Sequence, residues 1–159
     1  IGLTIFRAKY ERISGYVTIF MKSNASLFEK RVREGRIRDC HGDLHAAHVC
    51  FAGGICIYDC IEFNDRFRYC DVASELAFLG MDLDRHKQAG LSKHLVNTYV
   101  ELSHDEGLLE LLDFYKCYRA YVRGKVESFK LDDPVIPQSE KAKALESARS
   151  YFQLAESYV

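Results

Sequence analysis

Two acidic residues flank a short β-hairpin pattern near the middle of this chain. Asp43 lies in the segment His-Gly-Asp-Leu-His, and Asp59 follows the apolar run Ile-Cys-Ile-Tyr. Between them, Gly53 and Gly54 are flanked by β-type residues, a pattern that predicts a tight turn. Because a hairpin folds back on itself, we expect the two carboxylates to approach each other at one end of it. Close carboxylates repel unless a cation lies between them, and Mg²⁺ is the usual ion because it prefers oxygen ligands.

The His-Gly-Asp-Leu-His segment, the hairpin and the Ile-Tyr-Asp element together resemble the aminoglycoside phosphotransferase and choline kinase family, which has a protein-kinase-like fold. The resemblance runs from about residue 31 to residue 130 and includes the unbroken run from Tyr58 to Tyr69. It is closest to a poorly characterised bacterial branch, in which such a domain is often fused to a C-terminal P-loop ATP-binding domain. The resemblance implies a cytoplasmic phosphotransferase that uses Mg²⁺ and moves the γ-phosphate of ATP to a hydroxyl of a small molecule.

The resemblance assigns roles to three aspartates. Asp43 matches the catalytic Asp, which orients the acceptor hydroxyl and takes its proton, whereas a loop Asp in an Asx turn is the structural alternative. Asp59 matches the Asp that binds Mg²⁺ against the phosphates, whereas an Asp that simply ends a strand is the alternative. Asp71 matches a carboxylate that braces the catalytic loop by accepting its backbone N–H groups, and it equally fits a plain helix N-cap.

A histidine, His48, stands where the family usually has an Asn that binds a second metal ion. Imidazole nitrogen is a softer donor than an amide oxygen and suits Mg²⁺ poorly. His48 is therefore expected either to join Asp59 in holding the metal and the nucleotide, or to hydrogen-bond a phosphate or Asp43.

Three further polar residues are expected to support the site: His41, His45 and Glu62. His41 is expected to pack under the loop with a backbone hydrogen bond, whereas His45 faces either the acceptor pocket or solvent. Glu62 either touches the metal or the acceptor, or lies on the surface.

A different hypothesis is a zinc site, formed by Cys40, His41, His45, His48 and Cys50. Nitrogen and sulfur donors suit zinc, but this spacing matches no standard ligand pattern.

Charge indicates little about the acceptor. Arg119 and Arg123 share one helix face, where they either recognise an anionic substrate or form the solvated edge of a core helix, and the second is favoured. A polycationic antibiotic would need a dense acidic pocket. The acidic residues are instead scattered among basic ones: Asp82, Asp84, Glu101, Asp105 and Glu106. A metabolite or a sugar-like acceptor is therefore expected as readily as an aminoglycoside.

The hydrophobic pattern predicts a single α+β, mostly α-helical domain over residues 1–159, with the small hairpin as its β part. Helices are predicted over residues 1–22, 25–34, from Asp71 onward, 87–103, 106–130 and 139–158, with an irregular segment at 60–70 and a linker at 131–138. This is the layout of the C-terminal lobe of a protein-kinase-like fold. No Gly-rich phosphate loop precedes the His-Gly-Asp motif, so we expect the N-terminal lobe outside this chain and the chain alone to be inactive.

Composition bounds the remaining function classes. A net charge of −1 gives no electrostatic basis for binding nucleic acid or an anionic membrane, and no apolar run approaches the roughly 20 residues that cross a bilayer. Six cysteines without a recognisable secretion signal favour reduced thiols in the cytoplasm over a disulfide framework. The alternative function, suggested by His48 and the missing lobe, is a catalytically impaired, pseudokinase-like module that regulates an ATP-binding domain.

Overall fold

Helices dominate the computed structural model, which describes residues 2–159. The helices are α1 (Arg7–Ser23), α2 (Ala25–Arg33), α3 (Asp65–Arg68), α4 (Val72–Arg85), α5 (Ala89–Ser103), α6 (Leu112–Phe129) and α7 (Gln138–Ser157). The strands are β1 (Ile37–Asp39), β2 (Val49–Phe51), β3 (Ile55–Ile57) and β4 (Tyr69–Asp71). The chain is therefore α+β and mostly α, with 67% of its residues helical, as the hydrophobic pattern predicted.

The main core lies where α1, α4, α6 and α7 meet. Phe78, Met81 and Cys117 are almost completely buried there, and small alanines of α7 let that helix approach α6 closely. At Gly124 of α6, an added Cβ would lie 2.9 Å from the ring of Phe152, so the helix pair needs glycine at that point. Each large apolar side chain buried in this way contributes about 1.5–3 kcal/mol to folding.

The four strands form two separate two-stranded antiparallel sheets. In one sheet β1 pairs with β4, and Arg38 lies opposite Cys70. In the other, β2 pairs with β3, and Cys50 lies opposite Cys56. The second sheet is the predicted hairpin, and Gly53 in its turn has a positive φ of 73° that glycine adopts without strain. The hairpin prediction is confirmed.

Segment 60–70 differs from its prediction. It was expected to be irregular, but it contains the single turn α3 and the start of β4. Asn64 explains the turn, because its side chain accepts the backbone N–H of Arg66 as an N-cap. Strand β4 forms by pairing with β1, about 30 residues away, a contact that a local pattern does not reveal. The prediction that Asp71 caps the following helix is confirmed, because its carboxylate accepts the backbone N–H of Ala73.

A buried charge cluster joins α2 to β4 and to the loop that precedes residues 106–111. Arg31 is 1% exposed and donates to Asp71 at 2.9 Å and 2.6 Å, and to Asp105 on its other side at 3.0 Å. Burial disfavours the charged guanidinium, but the two carboxylates outweigh burial and raise the pKa of Arg31 above its ordinary value. Both carboxylates are thereby committed to holding the fold together.

Two further observations concern the whole described chain. None of its helices combines the length and the apolar character that a membrane crossing requires. All six cysteines are free thiols within residues 2–159.

Residues 130–137, which connect α6 to α7, form turns rather than a helix or a strand.

Candidate functional site

The segment that carries Asp43 is fastened to α4 by two carboxylates. Glu75, which is 7% exposed, accepts the backbone N–H of His41 at 2.8 Å and that of Gly42 at 3.2 Å. Seven residues further along the same helix face, Asp82 accepts the backbone N–H of Ala46 at 3.0 Å. His41 and Gly42 lie outside any helix or strand, and Ala46 begins a short 3-10 helix, so none of the three N–H groups has a backbone partner within a helix or sheet. Helix α4 therefore supplies hydrogen bonds that fix the conformation of this segment.

Arg119 of α6 holds the same loop from the other side. Its Nη1 donates to the carbonyl of Gly42 at 3.1 Å, its Nε donates to Ser74 at 3.0 Å, and its guanidinium lies over the ring of Phe78. The prediction that Arg119 belongs to a solvated basic edge is wrong, because these contacts leave it only partly exposed.

Gly42 is a position where glycine is required. Its φ is 84°, and an added Cβ would lie 2.9 Å from the carbonyl oxygen of Phe67, which is closer than real Cβ contacts. The loop that carries Asp43 and segment 60–70 therefore approach each other closely at Gly42.

Asp43 lies next to two histidines and an arginine. Burial tends to raise the pKa of its carboxyl, but His45, Arg123 and His48 more than offset burial and hold this pKa below its ordinary value. Asp43 is therefore ionised at neutral pH. Its side chain is one-third exposed, so it remains accessible from the adjoining cavity.

His41 connects the loop to the hairpin. Its Nε2 lies 2.7 Å from the carbonyl oxygen of Tyr58, and its Nδ1 lies 3.3 Å from the backbone nitrogen of Asp43. A carbonyl only accepts and a backbone N–H only donates, so Nε2 carries the proton and Nδ1 accepts. His41 thus has the backbone hydrogen bonds that the sequence led us to expect, and it links Asp43 to the residue that precedes Asp59.

His48 lies between the two acidic residues. Its Nδ1 is 2.9 Å from the carbonyl oxygen of Asp43, and its Nε2 is 3.5 Å from the Oδ2 of Asp59. His45 lies beside it, with ring centroids 4.1 Å apart, and its Nε2 is 3.6 Å from the Oδ2 of Asp43. His45 therefore faces Asp43 and the interior rather than solvent.

Asp59 follows the hairpin in an unusual backbone conformation. Its φ is 63°, a left-handed value that Asp tolerates better than most residues and that is often found at functional sites. Asp43, Asp59 and Glu62 all line one cavity of about 870 Å³. The cavity is also lined by three cations, Arg119, Arg123 and Lys125, and by apolar residues that include Phe78 and Val122.

Asp71 does not touch the loop within the described residues, because its carboxylate binds Arg31 and Ala73. The bracing role that the resemblance gave to Asp71 is performed by Glu75, which the sequence analysis missed. Its signal was a lone carboxylate in the segment Val-Ala-Ser-Glu-Leu-Ala-Phe, which is otherwise small or apolar.

The donors proposed for zinc fall into different places. Cys40 lies with Cys70 and Glu75, with ligand atoms within 4.8 Å of one another, while His45 and His48 group with Asp43. Cys50 lies opposite Cys56 in the hairpin. The predicted set of Cys40, His41, His45, His48 and Cys50 is therefore not brought together as one centre.

Three of the scattered acidic residues have structural partners. Asp82 binds the loop, Asp105 binds Arg31, and Asp84 accepts from Lys116 at 2.8 Å and from Tyr158 at 2.6 Å. These carboxylates do not line the cavity that holds Asp43. The cavity therefore has three acidic and three basic side chains rather than a dense acidic lining.

Comparison with known proteins finds relatives that have no assigned activity. The chain is 39% identical over 117 residues to the uncharacterized proteins Rv2004c of Mycobacterium tuberculosis and Mb2027c of Mycobacterium bovis. The aligned part is 73% of this chain and 24% of each relative, so the chain spans about a quarter of the length of the curated relatives it matches. No protein-family model matches the chain. No solved structure matches it either.

Proposed function

We propose that this chain is the catalytic and acceptor-binding lobe of an ATP-dependent small-molecule phosphotransferase of the aminoglycoside phosphotransferase type. In this proposal its helices and hairpin correspond to the C-terminal lobe of a protein-kinase-like fold. The observation that supports it is the shared cavity of Asp43 and Asp59, with His48 between them. A phosphoryl-transfer site needs one carboxylate that receives a proton and another that holds the cation by which phosphate charge is neutralised.

In the proposed reaction, Asp43 accepts a hydrogen bond from the acceptor hydroxyl and orients it. The hydroxyl oxygen forms a bond to the γ-phosphorus, the bond from that phosphorus to the β–γ bridging oxygen breaks, and ADP leaves. The hydroxyl proton passes to Asp43, whose lowered pKa keeps it ionised before the transfer. Glu75 and Arg119 act through the loop by keeping its backbone in place.

The residues present fit a divalent cation. Asp59 and His48 would hold it, because their Oδ2 and Nε2 atoms lie 3.5 Å apart. When bound, a divalent ion neutralises charge on the phosphates of ATP.

The charges around the cavity favour a neutral or weakly charged acceptor. The three acidic side chains, Asp43, Asp59 and Glu62, are balanced by Arg119, Arg123 and Lys125. A polycationic acceptor would meet repulsion from those cations, so we propose a hydroxylated metabolite or a sugar-like molecule. The rest of the longer protein is proposed to supply the N-terminal lobe, and a P-loop ATP-binding domain is a further proposed partner. We propose a cytoplasmic location.

The test is ATP turnover by the natural full-length protein with a panel of hydroxylated acceptors. Asp43→Asn should reduce kcat by about 10²- to 10⁴-fold while ATP still binds, because only proton transfer and orientation are lost. Asp132→Asn, an exposed aspartate in the connection before α7, is the matched control and should leave turnover unchanged. Equal turnover by the wild type and by Asp43→Asn would contradict the proposal.

A second candidate function is a regulatory module that binds nucleotide without turning it over. The observation that favours it is the imidazole of His48 in place of an amide, held by the carbonyl of Asp43. This candidate predicts nucleotide binding that does not depend on Mg²⁺, together with no ATP turnover in the full-length protein.

A further inference from the structure

Two nitrogen–oxygen pairs in the site have similar separations. The Nε2 of His48 lies 3.5 Å from the Oδ2 of Asp59, and the Nε2 of His45 lies 3.6 Å from the Oδ2 of Asp43. Both distances exceed the roughly 2.7–3.2 Å of a nitrogen–oxygen hydrogen bond. Two adjacent ligands about 2.1 Å from one ion lie about 3.0 Å apart at an octahedral angle and about 3.4 Å apart at a tetrahedral angle. The pairs therefore have the spacing of donors that share a cation.

The hydrogen bonding of His48 directs a lone pair toward Asp59. Its Nδ1 lies 2.9 Å from the carbonyl oxygen of Asp43, which can only accept, so Nδ1 carries the proton. In a neutral ring, Nε2 then has a lone pair next to a carboxylate oxygen, and two acceptors face each other. A backbone carbonyl bound to Nδ1–H is also the interaction that commonly orients metal-binding histidines.

Three of these side chains form a compact mixed donor set, and the fourth, Asp59, lies next to one of them. Ligand atoms of Asp43, His45 and His48 all lie within 4.8 Å of one another, and Asp59 adjoins His48. Mg²⁺ prefers six oxygen ligands, whereas first-row transition-metal ions also accept imidazole nitrogen, with an affinity that rises from Mn²⁺ to Cu²⁺.

We propose that His48 and Asp59, with His45 and Asp43 beside them, bind a first-row transition-metal ion in preference to Mg²⁺. The role of the ion rests on the proposed phosphotransferase function. The preference for a transition-metal ion over Mg²⁺ follows from the donor set alone. A protonated His48 bridging the two acids would fit the same distances without any metal, and metal binding measured directly separates these alternatives.

The experiment titrates the metal-free chain with Mn²⁺ and follows the electron paramagnetic resonance signal of free Mn²⁺, with Mg²⁺ as competitor. No nucleotide or acceptor is present. We expect Mn²⁺ to bind at least about tenfold more tightly than Mg²⁺, because nitrogen ligation favours it. Electron spin-echo spectra should show coupling of Mn²⁺ to ¹⁴N, a direct signature of imidazole coordination.

Two variants and one control test the assignment. His48→Asn replaces imidazole by an amide oxygen, so it should lower Mn²⁺ affinity by roughly 10- to 100-fold and weaken the ¹⁴N coupling. Asp59→Asn should lower Mn²⁺ affinity similarly, and Asn suits the left-handed backbone at this position, so this variant decides the question if His48→Asn does not fold. His94→Asn, on the exposed face of α5, should bind Mn²⁺ as the wild type does.

Equal affinity for Mn²⁺ and Mg²⁺, absence of ¹⁴N coupling, or unchanged Mn²⁺ affinity in the folded variants would each overturn the inference. These outcomes are distinct from failure of the proposed function, because that failure is unchanged ATP turnover in Asp43→Asn. A protein that binds Mn²⁺ as expected without transferring phosphate would keep the metal site and lose the phosphotransferase.

Discussion

The part of the loop just before Asp43 should depend on the buried carboxylate of Glu75. Its oxygens accept backbone N–H groups of His41 and Gly42, at 2.8 Å and 3.2 Å. A hydrogen bond to a charged group contributes about 1.5–3 kcal/mol, and a buried donor left without a partner costs about 1–3 kcal/mol. Glu75→Gln keeps one acceptor oxygen but loses the charge, so the free energy of unfolding should fall by about 1.5–3 kcal/mol. Glu75→Ala leaves both donors unpaired and should cost about 3–5 kcal/mol.

Urea denaturation of the 159-residue chain measures these changes through the midpoint, provided that the slope with denaturant stays constant. Glu101→Gln is the matched control, because Glu101 is an exposed glutamate near the end of α5 and its substitution should change stability by less than about 0.5 kcal/mol. If Glu75→Gln falls within the range of that control, the carboxylate does not hold the loop and the reasoning is refuted.

Three further outcomes are expected. Gly42→Ala should destabilise the chain by about 1–2 kcal/mol more than Gly53→Ala in urea denaturation. Both glycines have a positive φ, but an added Cβ meets a close backbone atom only at Gly42. Equal decreases in the free energy of unfolding would contradict this close contact. Arg31→Met should cost about 3–5 kcal/mol, because it leaves buried Asp71 without a cation and leaves buried Asp105 only the more distant Arg36 at 3.7 Å. Exposed Arg33→Met should change little. Burial raises the pKa of the Cys117 thiol from 9.0 to about 12, so its contribution to stability is present below pH 9 and is lost as the pH rises toward 12. The free energy of unfolding of Cys117→Ala should therefore fall less steeply over that range, by up to about 1.4 kcal/mol per pH unit, and identical slopes would contradict the burial effect.

Features that depend on neighbours in sequence were predictable. Apolar residues at helical spacing define most helices, and the Gly-Gly pair between β-type residues defines the hairpin. The N-cap role of Asp71 also follows from its place before an apolar helix. These signals are local because the hydrogen bonds they describe join residues a few positions apart.

Features that depend on distant residues were not predictable. Glu75 contacts the loop across 34 residues of sequence, and Arg119 contacts it across 77. Side-chain charge alone suggested surface positions, since most arginines and glutamates are solvated. Their role becomes visible only when α4 and α6 pack on opposite sides of the loop and leave its backbone groups without water. Arg31 of α2 likewise contacts Asp105 across 74 residues of sequence.

The separation of the two small sheets gives the two acidic residues different mechanical surroundings. Asp43 is anchored through a loop held by side chains of α4 and α6, whereas Asp59 follows a hairpin whose Phe51 and Ile55 are 80% and 73% exposed. Amide hydrogens of the hairpin should therefore exchange with solvent faster than those of α4 and α6. For protein engineering, the hairpin is therefore the segment to diversify, because changes there leave the buried contacts of the helical core in place.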